Sequence, residues 1–288
     1  MTEQTNNDVV ARGLVRAQVP RTARMPERRC GGSGPSLAHL LRRFEPISLE
    51  QMDNVALLDR VDTKYVMDEL QLAWALHALA GDYWILDIDD VRLSHYFTLY
   101  FDTTDLTLYH WHHAGRRNRC KVRCRHYLET DQAYLEVKSR AGRNRTLKSR
   151  LRTDGPVERL TPETDAFVDE HVPFDARRLE PALWDSFSRI TLVGKRLPER
   201  VTLDVELQFG CDGHLSGLPG VVVGEVKQVH VDHGSEFVQR MRAMGIRPLR
   251  VSKYCTAVCT LFPEVKHNNF KPKLQAIAKI MRGDRHVS

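Results

Sequence analysis

The stretch Arg119-Cys120-Lys121-Val122-Arg123-Cys124-Arg125-His126-Tyr127 decides the fold. Side chains two apart in an extended chain leave the backbone on the same side. Arg119, Lys121, Arg123 and Arg125 therefore share one face of a strand, and Cys120, Val122, Cys124 and His126 share the other. Four cations in a row call for an anionic partner, while the second face is apolar enough to pack beneath helices.

Working outward, the same alternation recurs. Arg60, Asp62 and Lys64 fall on one face, as do Tyr134, Glu136, Lys138 and Arg140 opposite Leu135 and Val137. Arg200, Thr202, Asp204, Glu206 and Gln208 oppose Val201, Leu203, Val205, Leu207 and Phe209, and Glu225 and Lys227 oppose Val222 and Val226. The period of two predicts strands over 60–67, 93–102, 119–128, 133–139, 147–152, 187–193, 200–209 and 221–229. One polar face is ordinary in an antiparallel sheet. Here Arg, Lys and carboxylates fill that face on most of the strands, where a merely solvated face mixes in Thr and Ser. Helices with apolar stripes need partners, and the apolar strand faces supply them. The expected fold is thus α+β: an eight-stranded antiparallel β-barrel with a polar, water-filled tunnel and helices packed on the outside. Cations lining such a tunnel concentrate phosphate chains, and carboxylates among them can hold a divalent metal.

Helices are expected over 37–43 and 48–58, the second opened by Ser48 with Gln51 three residues on, a capping-box spacing. Asp68 caps a helix through Trp74, Leu76 and Leu79; Thr161-Pro162-Glu163 starts a short one, and others follow at 180–186, 234–244, 252–261 and 271–281. Residues 1–35 carry six arginines among Pro, Gly, Thr and Ser and read as a disordered basic tail, leaving 36–285 as one domain. The 288 residues carry a net charge of +6, which favours an anionic partner without choosing one. No apolar run reaches the roughly 18 residues of a membrane helix. Six scattered cysteines without a signal-like segment fit a reducing, cytoplasmic setting. Cys120 with Cys124, or Cys255 with Cys259, could contribute to a zinc site, but with no CxxC the cysteines read as small buried apolar groups. His110, His112 and His113 read as an exposed hairpin connection.

Eight motifs, in order over residues 38–262, resemble the VTC domain, the polyphosphate polymerase branch of the triphosphate tunnel metalloenzymes. They are Arg60-Val61-Asp62-Thr63-Lys64-Tyr65, Tyr100-Phe101-Asp102, Val122 to Tyr127, Leu135-Glu136-Val137-Lys138, Ser188-Arg189-Ile190-Thr191, Arg200 to Asp204, Gly224-Glu225-Val226-Lys227 and Ser252-Lys253-Tyr254. The resemblance implies that Lys64, Arg123, Arg125, Lys138, Arg189, Arg200 and Lys253 position and neutralise phosphates, Lys64 at the terminal or acceptor group. It implies substrate contacts from Arg60, Tyr65, Lys227 and Ser252, and Mn²⁺ or Mg²⁺ held by Glu225, with Glu206, Glu136 and Asp204 as weaker candidates. Arg119 and Lys121 are expected at the tunnel mouth, and Lys148, Arg150 and Arg152 at an inter-strand turn or that mouth. Phe187 stands where the family often has Tyr, losing a hydroxyl. Neither the phosphate-sensing domain nor the membrane helices of the eukaryotic subunits are expected.

Three activities follow. The first is transfer of the terminal phosphoryl group of ATP to a growing polyphosphate chain. The second replaces that acceptor by water, giving a tripolyphosphatase or nucleoside triphosphatase. The third is a non-catalytic polyphosphate-binding module. Nucleic acid is not expected as a partner, because aromatics make up only 8% of the chain and carboxylates share the charged faces.

Overall fold

The computed structural model describes residues 36–53, 60–141 and 145–284. The expected basic tail with Cys30, the expected helix beyond residue 53, residues 142–144 and the last four residues lie outside them. Eight strands form one antiparallel path: β2 (Val61–Asp68), β11 (Val221–Gln228), β9 (Glu199–Cys211), β8 (Glu180–Gly194), β4 (Ser94–Asp102), β5 (Cys120–Tyr127), β6 (Gln132–Ala141) and β7 (Arg145–Thr153). These are the eight stretches in which the sequence alternates. Three short strands join them off the path: β1 (Glu45–Ile47) pairs in parallel with β3 (Tyr83–Leu86), β3 also pairs with β8, and β10 (His214–Gly217) pairs with β9. Among the described residues no ladder joins β2 to β7, so hydrogen bonds do not close the sheet into the expected barrel.

Outer helices cover the apolar faces. The capping box of α3 (Glu69–Leu79) is complete: Asp68 accepts from the Gln71 N–H at 2.7 Å, and the Gln71 side chain accepts from the Asp68 N–H at 3.0 Å. With α1 (Leu37–Leu41) and α6 (Glu236–Ala243) it packs Leu72, Leu76, Leu79, Phe237 and Met241 on Tyr65, Met67, Leu203 and Val226. Ser48 and Gln51 cap α2 (Leu49–Asp53) in the same reciprocal manner. The second outer core lies under α5 (Pro162–Asp169), where Val168 meets Leu99, Val122 and Leu135.

Three features depart from the expected pattern. Residues 180–186 are the first half of β8, not a helix. Leu183 faces the inner core and Trp184 the outer one, so both faces are apolar and the alternation is hidden. Residues 107–113 form α4 (Thr107–His113) in place of an exposed connection. Nor do all the helices lie outside. The charged face is apolar at one end (Val66, Tyr100, Leu183, Leu207, Phe209, Val221, Val223), and α7 (Lys253–Leu261) and α8 (Lys271–Met281) pack there through Tyr254, Val258 and Ile277. All five described cysteines are free and buried, as small apolar groups should be.

Candidate active site

Strand register brings the charged residues to one concave face. Lys64 lies opposite Glu225, Glu225 opposite Thr202, Asp204 opposite Arg189, Thr98 opposite Arg125, and Arg123 opposite Glu136. The face curls back on itself. Lys138 on β6 is pushed below the usual lysine range chiefly by burial and next by Lys64, and it also feels Glu225 and Asp62 from the far end of the sheet. Walls at opposite ends of the strand path therefore look at each other across one cavity.

Cations outnumber carboxylates in it, and three of the carboxylates are clamped. Asp204 receives a two-pronged bond from Arg189 at 2.6 and 2.9 Å and pairs with Lys253 as well. Glu136, 1% exposed, is held by Arg123 at 2.7 Å and Lys148 at 2.5 Å. Glu225 sits between Lys227 at 2.8 Å and Lys64 at 3.4 Å. Against the cost of burial, these cations hold all three carboxyls well below their usual range.

The lysines have the opposite problem. Lys121, Lys138 and Lys148 lie directly across from one another on β5, β6 and β7. Each such like-charge pairing is unfavourable by up to about 1 kcal/mol. Lys138 has no ion pair among the described residues. Burial pushes Lys121, Lys148 and Lys253 down to about 8. Lys138 and Lys148 nonetheless remain open to solvent. Groups reachable by water yet surrounded by protein mark the wall of a channel.

Phe187 has a role that the missing hydroxyl does not touch. Its ring stacks on Tyr96 with centroids 5.1 Å apart, and Arg189, Arg125 and Lys253 sit over it at 5.2, 5.8 and 3.5 Å. The aromatic pair is a platform that gathers three cations without neutralising them.

Most residues singled out from the sequence lie on this face: Lys64, Arg123, Arg125, Lys138, Arg189, Lys227, Lys253, Glu136 and Glu225. Arg200 lies at the edge of the face beside Lys227, where its guanidinium reaches the Met52 carbonyl at 3.2 Å. Arg60 pairs with Asp62 at 3.2 Å near the start of β2. Ser252 caps α7 by accepting from the Cys255 N–H, and it accepts from Lys121 at 2.7 Å. Two expectations need correction. Tyr65 alternates with Lys64 and so points outward, packing edge-on against Phe237. Glu206 occupies a bulge with φ +55°, which turns its carboxylate to accept from Ser188 on the outer face. Beyond the bulge Leu207 and Phe209 take the inner positions.

Sequence reasoning put Lys121 at the tunnel mouth and Lys148 at an inter-strand turn or that mouth; the structure places both in the cavity. The readable signal was their register opposite Lys138, which requires the hairpins to be aligned first. His112 is no exposed turn residue: burial, reinforced by Lys121 and Arg119, pushes it down to about 2.

No cluster of three His, Cys, Asp or Glu able to hold a metal exists among the described residues. Mg²⁺ or Mn²⁺ sharing a substrate's phosphates asks for less, because such ions keep several waters and use one or two carboxylates. Glu225, with Asp62 at a diagonal position on the adjacent strand, fits that demand, whereas Asp204 is taken up by Arg189 and Lys253. Glu206 does not, and Glu136 is enclosed by its own cations.

The VTC domain model matches residues 59–262. This chain belongs to the VTC domain family. No curated protein matches the sequence. Among solved structures, a proposed adenylate cyclase from Bacillus halodurans is 14% identical, with 71% of this chain and 97% of that chain covered at a TM-score of 0.44. A proposed adenylyl cyclase from Hippeastrum, described as having a dominant triphosphatase activity, is 14% identical, with coverage of 72% and 100% and a TM-score of 0.44. A Pyrococcus horikoshii protein is 12% identical, with coverage of 70% and 98% and a TM-score of 0.41. Among the described residues no helix is long and apolar enough to cross a membrane.

Proposed function

We propose that this VTC domain is a phosphotransferase that moves the terminal phosphoryl group of ATP onto a growing polyphosphate chain in its basic cavity. The observation that carries this reading is the row Lys121, Lys138 and Lys148, of which the first two face Lys64 across the cavity, like charges held together with too few carboxylates to balance them. Such an arrangement is stable only at a cost that a polyanion relieves, and a run of phosphates supplies the matching charge.

Phosphoryl transfer asks the protein mainly to align the donor and acceptor and to absorb charge on the transferring oxygens. Arg123, Arg125, Arg189 and Lys253 are pre-aimed by Glu136, Asp204 and the Tyr96–Phe187 platform, so little reorganisation is needed when phosphate arrives. Lys138 and Lys64 take the remaining phosphates, Lys64 at the acceptor end. Glu225 would hold a divalent ion, which would supply charge neutralisation on the phosphate oxygens. Lys64 and Lys227, which flank Glu225, contact phosphate as well. Arg60 and Arg200 would guide the chain at the cavity's edge.

Incubating the purified protein with ATP and Mn²⁺ and resolving the products by length on a gel tests the proposal. A ladder of long polyphosphate supports polymerisation. Orthophosphate release from tripolyphosphate without a ladder replaces it with the hydrolytic reading. Tight polyphosphate binding without turnover leaves a binding module.

A further inference from the structure

Three consecutive residues at the start of α7 each bond to a different part of the sheet. Ser252 meets Lys121 on β5, Lys253 meets Asp204 on β9, and the Tyr254 hydroxyl donates to Asp102 at the end of β4. The first two contacts lie in the phosphate cavity; the third does not. Asp102 is 1% exposed and accepts hydrogen bonds from the N–H groups of Thr103, Leu108 and Tyr109, from Tyr254 and, at 3.5 Å, from the Thr103 hydroxyl. One carboxylate thus caps α4 and holds α7. Burial pushes Asp102 up to about 6 and the Tyr254 phenol well above its usual value, so near neutral pH the hydrogen stays on tyrosine and the carboxylate accepts. Tyr254 also packs on Tyr100, centroids 4.9 Å apart, and Tyr100 donates to Asp185 at 2.8 Å.

We infer that Asp102 and Tyr254 are positioning residues for the phosphate site: their bond seats the first turn of α7, and that turn sets where Ser252 and Lys253 stand in the cavity. Lys253 needs such outside support. It is a flexible side chain, its burial is unfavourable, and its partner Asp204 is shared with Arg189. The inference rests on the proposed phosphate-binding role of the cavity, so its test carries a readout that does not.

Tyr254→Phe removes one hydroxyl and leaves the α4 cap intact. Tripolyphosphate affinity by calorimetry should fall about fivefold, the effect of one net buried hydrogen bond. Thiol labelling at Cys255, now 3% exposed in that same turn, should accelerate when read peptide by peptide by mass spectrometry. Combining Tyr254→Phe with Lys253→Met should add little to the loss from Lys253→Met alone, because both act through one ammonium. Asp102→Asn puts an amide donor against at least two of the groups that donate to this carboxylate and should show the same pattern more strongly. Wild-type affinity in Tyr254→Phe, a Cys255 as shielded as in the parent, or fully additive losses would each overturn the inference. If the parent protein binds no tripolyphosphate, the phosphate reading falls, and Cys255 labelling alone decides whether the bond seats the turn.

Discussion

At the residue scale, each carboxylate in the cavity does a different job. Asp204 is a clamp: 5% exposed, it balances two cations that are themselves mostly buried. Removing one partner of a buried ion pair typically costs about 3–5 kcal/mol, because the other charge is stranded. Asp204→Asn should therefore lower the unfolding free energy, read from urea midpoint and slope, by an amount of that order, and a midpoint within error of the parent would contradict the clamp. Because Asp204, Glu136 and Glu225 are held below the usual carboxylate range, the unfolded chain takes up protons before the folded one as pH falls. Their stabilisation is full above the ordinary carboxylate pKa of about 4 and is lost progressively below it. Glu225 differs in that its ion pairs among the described residues are with lysines, which phosphate can claim. Glu225→Gln should abolish metal-stimulated turnover while leaving metal-free tripolyphosphate binding intact or tighter, since a negative charge leaves the cavity. Full metal-dependent activity in that variant would remove Glu225 from the metal's coordination.

At the element scale, all eight path strands were legible, because one apolar face in each makes the period of two visible. The inward face of the opening stretch was legible too, and with it Arg123 and Arg125. What escaped was set by contacts that no standard local pattern announces. The α4 helix begins at Leu106 in the left-handed region with no side-chain cap from that residue; the Thr107 N–H is instead satisfied by the Thr103 hydroxyl, and those of Leu108 and Tyr109 by Asp102. The first half of β8 is buried on both faces, and the bulge at Glu206 moves one predicted ligand outward while a simple alternation keeps it inside. Pairing of β8 with β9 tolerates little change just past that bulge. A Cβ at Gly210 would lie 2.3 Å from the Trp184 indole. Gly210→Ala should destabilise by about 1–3 kcal/mol, the usual penalty for overpacking, as read from denaturant midpoints. An unchanged midpoint would mean that Trp184 moves freely.

At the scale of the whole molecule, the charge pattern makes ligand binding a proton-linked event. Lys121, Lys148 and Lys253 are charged below their depressed values of about 8 and discharge in the empty cavity as pH rises through them. A polyphosphate stabilises the charged forms and raises those values again. Tripolyphosphate binding should weaken from pH 7 to pH 9, and binding near pH 8 should draw protons from solution. Calorimetric heats at pH 8 in two buffers of different ionisation enthalpy check this; equal heats would show that no proton moves. The missing ladder between β2 and β7 has a separate consequence. A ring of strands bonded all the way round can widen only by breaking backbone hydrogen bonds, whereas this one has a seam that can part while every described ladder stays intact. Amide hydrogens along β7 should accordingly exchange faster than those of β9, which is paired on both sides, and a long chain would have a sideways route into the cavity that a sealed cylinder lacks.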